Sequence, residues 1–310
     1  MKSSLWTIRN YRSQDFKNLV EFLNSTSTLY SGWGNSSPNY LKKRLSRPHY
    51  SPYLNLFLVY KEGKIVGYAD VIPEVKIKRA VLDFFISSSH RFQKLGYQLL
   101  KKAQERARQF RVRVFHTFTP ETDFWVKNFL SEQGYSPVRT FLELEKDISI
   151  MKNPPHSSSS LVLSFFRKGE EPLLAELQNK CFKGSWGFSP NSVQEIKYYL
   201  RFTEISIEEV IKGMVKHNTA GYCWPHVIHS SFGGSGPSRG RIHMLGIDPR
   251  FQGKGFSRDL LGAGLNFLDQ KGAEKVDLTV SRENKAACSL YFSSGFNQKS
   301  KVLWYEKRIE

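Results

Sequence analysis

Arg91-Phe92-Gln93-Lys94-Leu95-Gly96-Tyr97 and Arg250-Phe251-Gln252-Gly253-Lys254-Gly255-Phe256 are two versions of one string, set 159 residues apart in a chain of 310. About 40 residues after each comes a second matched pair, Gly134-Tyr135 and Gly295-Phe296, and then a strand-like run, Phe141 to Lys146 and Val302 to Ile309. Similarity at a fixed offset reads as duplication of one structural unit. Lys152-Asn153-Pro154-Pro155-His156, followed by Ser157 to Ser160, is polar, Pro-rich and aperiodic, and lies near the midpoint. It reads as a linker. The expected organisation is a first domain over 1–150, a linker over 151–160 and a second domain over 161–310.

Outward from the second string, the patterns predict one order of elements. A strand at Leu161 to Arg167 leads to helices at Glu170 to Phe182 and Asn191 to Phe202. A hairpin over Val210 to Lys216 and Ala220 to His229 follows, and then a strand at Arg241 to Ile247. Gly255 to Gln270 places Leu260, Leu261, Leu265 and Leu268 on one helical face. Strand Val276 to Val280, helix Lys285 to Ser293 and the last strand close the half. The first half repeats the order, with a hairpin over Leu56 to Tyr60 and Ile65 to Ile72, a strand at Val81 to Ile86 and a helix at Leu99 to Phe110. This is an α/β (α+β) arrangement of two tandem domains, each a mixed, mostly antiparallel central sheet flanked by helices. Ser230 to Arg239, rich in Gly and Ser, reads as a flexible loop.

Composition bounds the function classes. The chain has 40% apolar, 14% aromatic and 24% charged residues, within the soluble globular range. No apolar run has membrane-spanning length, and Met1 to Asn10 lacks the apolar stretch of a secretory signal, so a cytoplasmic location is expected without a membrane partner. The three cysteines, Cys181, Cys223 and Cys288, are widely spaced and offer neither a disulfide framework nor a zinc ribbon. Cys223, His226 and His229 fail as a metal set, because His226 alternates to the other side of a strand. The net charge of +18 favours an anionic partner. It is spread over both halves, +11 in residues 1–150 and +7 in 151–310, which argues against a basic tail on a neutral body. Lys101, Lys102, Arg106, Arg108, Arg111 and Arg113 could contact RNA as a nucleic-acid partner, but such a run is more often a solvated helix face.

Gln252-Gly253-Lys254-Gly255-Phe256-Ser257 lies between a strand and an amphipathic helix, where successive N–H groups and a helix N-terminus form an anion site. It lacks the Lys-Ser/Thr pair of a Walker A loop and the spacing of a dinucleotide fingerprint. Gln252-x-x-Gly255-x-Ser257 after Leu245-Gly246-Ile247-Asp248-Pro249, with Asn284-x-x-Ala287-x-x-Leu290-Tyr291-x-x-x-Gly295-Phe296, resembles the acyl-CoA-binding motifs of the GCN5-related N-acetyltransferase (GNAT) superfamily. The second half fits throughout and the first as a degraded copy. Gly221-Tyr222-Cys223-Trp224, Gly240 with Leu245 to Pro249, and Trp186-Gly187-Phe188 extend the likeness to mycothiol synthase-type tandem enzymes.

The resemblance implies transfer of acetyl from acetyl-CoA to a primary amine of a small molecule or peptide, directly in a ternary complex and without a metal, by a monomer or homodimer. In that scheme the amides of Gln252, Gly253, Lys254, Gly255, Phe256 and Ser257 bind the diphosphate, supported by the charges of Lys254 and Arg258. Backbone groups of Leu245, Gly246 and Ile247 hold the pantetheine arm and polarise the thioester carbonyl. Tyr291 stands at the general-acid position and Asn284 fixes the loop ahead of its helix. Where mycothiol synthase-type enzymes carry an acidic residue on the strand before the loop, this chain has Arg241, which suits an anionic group on the acceptor. His243, on the same side by strand alternation, becomes the candidate base, and Trp224 a candidate acceptor contact. The first copy has Leu130 for Tyr291, Asp123 for Asn284 and Lys94 for the first glycine, which implies a non-catalytic role. Two other readings stay open: an aminoacyl-tRNA-dependent transferase of tandem GNAT fold, and an acyl-CoA-binding sensor without turnover.

Overall fold

Strand alternation and helical periods recur in the same order in both halves, and the computed structural model, which describes residues 6–26, 37–149, 160–228 and 238–309, builds the same order of strands and long helices from each, with one extra short helix in the first. The first half runs β1 (Thr7–Asn10), α1 (Phe16–Thr26), α2 (Pro38–Leu45), α3 (Pro52–Asn55), β2 (Leu56–Lys61), β3 (Lys64–Glu74), β4 (Arg79–Ile86), α4 (Gln93–Arg108), β5 (Val114–Pro120), α5 (Phe124–Glu132) and β6 (Ser136–Asp147). The second runs β7 (Val162–Phe165), α6 (Glu171–Phe182), α7 (Val193–Thr203), β8 (Ile211–Val215), β9 (Asn218–Ile228), β10 (Arg239–Ile247), α8 (Phe256–Gln270), β11 (Lys275–Ser281), α9 (Lys285–Ser293) and β12 (Asn297–Arg308).

Local chemistry sets these boundaries. Glu62 and Gly63, both at positive φ, make the two-residue turn that joins β2 to β3. Ser192 and Glu195 cap α7 reciprocally, each side chain taking the other's backbone N–H. Helix α4 begins at Gln93 rather than Leu99, because Leu95 already belongs to the buried stripe of Leu99, Leu100, Ala103 and Ala107.

The chain divides into two compact units, one of Met1–Phe141 with Lys301–Glu310, the other of Leu142–Ser300. In the first unit β1, β2, β3 and β4 pair antiparallel in that order and β4 pairs parallel with β5. The strand beyond β5 comes from the far end of the chain: Val302 to Arg308 of β12 lie antiparallel to Pro120 to Val114. In the second unit β7, β8, β9 and β10 pair antiparallel, β10 pairs parallel with β11, and β11 is flanked by β6. The last strand of each copy is thus exchanged. Tyr305 packs in the core of the first unit, whereas Leu142 and Leu144 pack in that of the second. The expected linker falls almost wholly on residues 150–159, outside the described residues, as does 229–237 of the expected flexible loop.

Each sheet has a core on both faces. In the second unit α8 and α9 bury Leu260, Leu261, Leu265 and Cys288 against one face, and α6 and α7 bury Leu174, Ile196 and Leu200 against the other. Close approach at the β9 and β10 crossing requires glycine: a Cβ on Gly221 would stand 2.6 Å from the Gly246 carbonyl oxygen. No helix among the described residues is long and apolar enough to cross a membrane.

Candidate functional site

Strand β10 pairs with β11 only at Arg239, Gly240 and Arg241, opposite Lys275, Val276 and Asp277, and the two then part. On its other edge β10 stays paired with β9 as far as Ile247 opposite Gly221, and the Asp248 N–H bonds to the Ala220 carbonyl at 2.9 Å. That bond fixes the parity of the antiparallel ladder: Gly246 and Met244 also exchange bonds with β9, so Leu245 and Ile247 turn their amides toward the opening left by β11. Sequence reasoning grouped Gly246 with them; its backbone groups serve the ladder, and its missing Cβ makes room for Cys181 and Tyr222.

The segment after β10 builds an anion cradle. Asp248, almost fully buried, accepts from the Arg250 N–H and pairs with its guanidinium, which fixes the turn. Gly253 and Gly255 take φ of 75° and 81°, and nothing lies within 4 Å of where a Cβ would stand on either. Gly255 is the N-cap of α8 with no side-chain cap, so the first turn is left open. The amides of Gly253, Lys254, Gly255, Phe256 and Ser257 have no acceptor among the described residues. Five successive N–H groups without an acceptor among the described residues, at a left-handed glycine turn and a helix N-terminus, suit a phosphate group. The Phe256 side chain goes into the core, whereas Lys254 and Arg258 stay exposed. The Gln252 amide side chain donates to the Ile247 carbonyl at 3.3 Å.

Asn284 is the N-cap of α9, its Oδ1 accepting from the Ala287 N–H at 3.1 Å. Two turns on, Tyr291 is 8% exposed and packs edge-on to Phe296. Its Oη has no hydrogen-bond partner among the described residues. Burial pushes the phenol well above its usual range, and Cys223 and Cys288 add to the effect.

The opposite face of β10 carries the other candidates. Register shifts between Ile242 and Met244, so His243 is the extra residue of a β-bulge. His243 and Met244 then both turn to the α6 and α7 layer, where the His243 ring meets Trp224 at 5.2 Å, His226 at 6.0 Å and Tyr199 at 6.3 Å. Burial, with His226 and Arg241 adding to it, lowers the His243 pKa to about 3, so the ring is neutral. Arg241 donates to Thr279 Oγ1 at 2.8 Å and makes no ion pair among the described residues. The carboxylate across from it, Asp277, is held by Arg239. Trp224 is buried, and its Nε1, like Tyr222 Oη beside it on β9, has no hydrogen-bond partner among the described residues. Among the described residues no group of three His, Cys, Asp or Glu could hold a metal ion.

The α8 and α9 face of the sheet thus carries Leu245, Ile247 and Tyr291, between the loop amides at the start of α8 and Asn284 at the start of α9, and the opposite face carries Arg241, His243 and Trp224. Sequence reasoning missed Tyr199 and Thr279, which helical and strand periods mark only as packing positions. It also missed a buried ionic cluster on the corresponding face of the first unit. There Arg44 bridges Asp83 at 2.7 Å and Asp70 at 3.1 Å, and the Tyr50 and Tyr68 hydroxyls donate to Asp70 and Asp83. Carboxylates inside the apolar runs of β3 and β4 were the available signal, since buried charges need partners.

The sequence profile of the Acetyltransferase (GNAT) family matches residues 16–135 and again 172–296. The chain is similar to a mycothiol acetyltransferase of Catenulispora acidiphila, 25% identical over 177 residues, a match that spans 57% of this chain and 56% of that protein. It is similar also to a mycothiol acetyltransferase of Amycolatopsis mediterranei, 26% identical over 242 residues, spanning 76% of this chain and 79% of the relative. Among solved structures, a GCN5-related N-acetyltransferase from Sphaerobacter thermophilus aligns over 98% of this chain and 95% of its own with a TM-score of 0.77 at 16% identity, a likeness of fold.

Proposed function

The chain belongs to the acetyltransferase (GNAT) family as a tandem N-acetyltransferase, and from that premise we propose that its second unit transfers the acetyl group of acetyl-CoA to the primary amine of a small molecule or peptide. The observation that carries this reading is the run of five amides from Gly253 to Ser257 that, among the described residues, have no acceptor and lie on a glycine turn that no side chain fills. A diphosphate fits it: backbone N–H groups and the start of α8 face the anion, and the charges of Lys254 and Arg258 support it. Leu245 and Ile247 offer their amides to the amide-bearing arm, in an opening made by the parting of β10 and β11.

Acetyl-CoA supplies the activated acyl group; the rest falls to this chain's own residues. The raised Tyr291 phenol stays protonated, and its Oη–H donates to the sulfur as the thiolate leaves. His243 is neutral and weakly basic. It cannot strip an ammonium, so the acceptor amine arrives as the free base, and His243 accepts from its N–H. Once the nitrogen lone pair is committed to the acyl carbon, that N–H is acidic enough for a weak base. Arg241, which has no carboxylate partner among the described residues, positions an anionic group of the acceptor.

The test is thermal unfolding of the chain with and without saturating acetyl-CoA. A ligand at 100 times its Kd stabilises the native state by about 2.7 kcal/mol, so Tm must rise. An unmoved Tm at millimolar acetyl-CoA would refute the cofactor assignment. A panel of amines read by thiol release then finds the acceptor.

A further inference from the structure

We propose that the first unit holds no acyl-CoA because its own Arg91 occupies the opening between β4 and β5, so that the chain binds one acyl-CoA, in the second unit. The count of one rests on the assignment of the Gly253 to Ser257 loop made above; the closure of the first opening does not.

The two units make the same opening. Strand β4 pairs with β5 only at Arg79, Ala80 and Val81, opposite Val114, Phe115 and His116, and then the strands part, as β10 and β11 do. The connection that follows differs. From Ile86 to Phe92, the N-cap of α4, the chain advances six residues; from Ile247 to Gly255, the N-cap of α8, it advances eight. The shorter connection has no residue at positive φ, whereas the longer one has two glycines there. Without left-handed residues the connection ahead of α4 lacks the αR-αL alternation that builds an anion-binding nest.

Arg91 closes what remains. Its Nε donates to the Ile86 carbonyl at 3.2 Å, the counterpart of the Ile247 carbonyl. Its Nη1 and Nη2 reach both carboxylate oxygens of Asp123 at 2.8 and 2.6 Å, and Asp123 caps α5 through the Val126 N–H. One side chain thus spans the opening from the end of β4 to the start of α5. Beneath it lies the Trp125 ring, 5.3 Å from the guanidinium carbon, stacked in turn on Phe129. A Cβ on Gly96 would come within 3.0 Å of the Phe129 ring, so α4 and α5 are packed with no space between them there. In the second unit the corresponding groups stay apart: Gln252 serves the Ile247 carbonyl, Asn284 caps α9, and among the described residues no side chain joins them.

A pantetheine arm would have to displace a bidentate, charge-assisted pair whose side chains are only 18% and 13% exposed. It would also strand the Asp123 carboxylate beside an anionic ligand. The other face is filled as well, by Arg44 between Asp70 and Asp83, at the register where the second unit has Trp224 and Met244.

Native mass spectrometry of the full chain titrated with acetyl-CoA counts the sites. The comparison is a Gly253→Asp, Lys254→Glu chain, which puts two negative charges in the loop while Asp tolerates the left-handed backbone; far-UV circular dichroism checks that it folds. One molecule per native chain and none in the variant is the expected result. Two per native chain, or one retained by the folded variant, overturns the closed opening. No binding by the native chain would bear out the closed opening and refute the loop assignment instead, so the two failures are distinct.

Discussion

Replacing Tyr291 with Phe separates chemistry from packing, because the ring packs in the core whereas the buried hydroxyl makes no hydrogen bond among the described residues. The ring stays 5.8 Å from Phe296 and among Cys223, Cys288 and Leu261, which Phe fills equally. The hydroxyl has no partner among the described residues, so its removal deletes a desolvated group rather than a bond. The stability change should then be within about 1 kcal/mol and can favour the variant, which for a chain of this size moves Tm by roughly 2–4 °C at most. Catalysis should respond differently. Loss of a positioned acid lowers kcat by about 10²- to 10⁴-fold, or roughly 3–5 kcal/mol in the barrier. Thiol release under saturating acetyl-CoA measures kcat, and the ligand-induced Tm rise shows that cofactor binding is intact. Because burial raises the phenol, the native kcat should not decline between pH 8 and 10, as it would if an ordinary tyrosine were losing its proton. An unchanged kcat in Tyr291→Phe removes the phenol as acid. A loss that tracks a collapse in Tm shows that the residue acts through packing.

With His243 at about 3, kcat/KM against pH should show no imidazole inflection near 6.5 and should rise with the amine pKa of the acceptor itself; an inflection between pH 6 and 7 that His243→Gln abolishes would overturn the free-base scheme. Asp15, held at about 2 by its hydrogen bonds from Arg9, the Arg12 N–H and Tyr60, is depressed in the fold, so it stabilises above the unfolded pKa of about 3.9 and loses that contribution as pH falls from 4 toward 2. Urea unfolding of Asp15→Asn should show a deficit of about 2 kcal/mol at pH 7 that shrinks to a few tenths at pH 2. Deleting 301–310 should destabilise the first unit, which loses the strand paired with β5 and the buried Tyr305, while acetyl-CoA still raises the Tm of the second; limited proteolysis that opened the second unit first would contradict the exchange.

The phosphate loop and the α8 stripe were legible because their signals are local: two glycines between a strand and a helix, and leucines at 260, 261, 265 and 268. The strand exchange was not. Phe141 to Lys146 and Val302 to Ile309 alternate alike, and alternation says which side is buried without naming the neighbour. The bulge at His243 was equally silent, since one extra residue against Pro225 and Trp224 exists only in the pairing.

Arg91 shows where matching of strings misleads. Residue by residue, Arg91-Phe92-Gln93 matches Arg250-Phe251-Gln252, which makes Arg91 the twin of Arg250. Counted from the ends of β4 and β10, however, Arg91 lies five residues past Ile86 and it is Gln252 that lies five past Ile247. The fold follows the second count: Arg91 and Gln252 each donate to that strand-end carbonyl, while Arg250 turns outward, its side chain 64% exposed, to pair with Asp248. Two residues fewer in the connection therefore carry an identical tripeptide to different work. An arginine that supports a turn in one copy closes a cleft in the other: the shorter connection has no left-handed glycine and places Arg91 on Asp123, whereas the longer one has two and places Gln252 at the strand end.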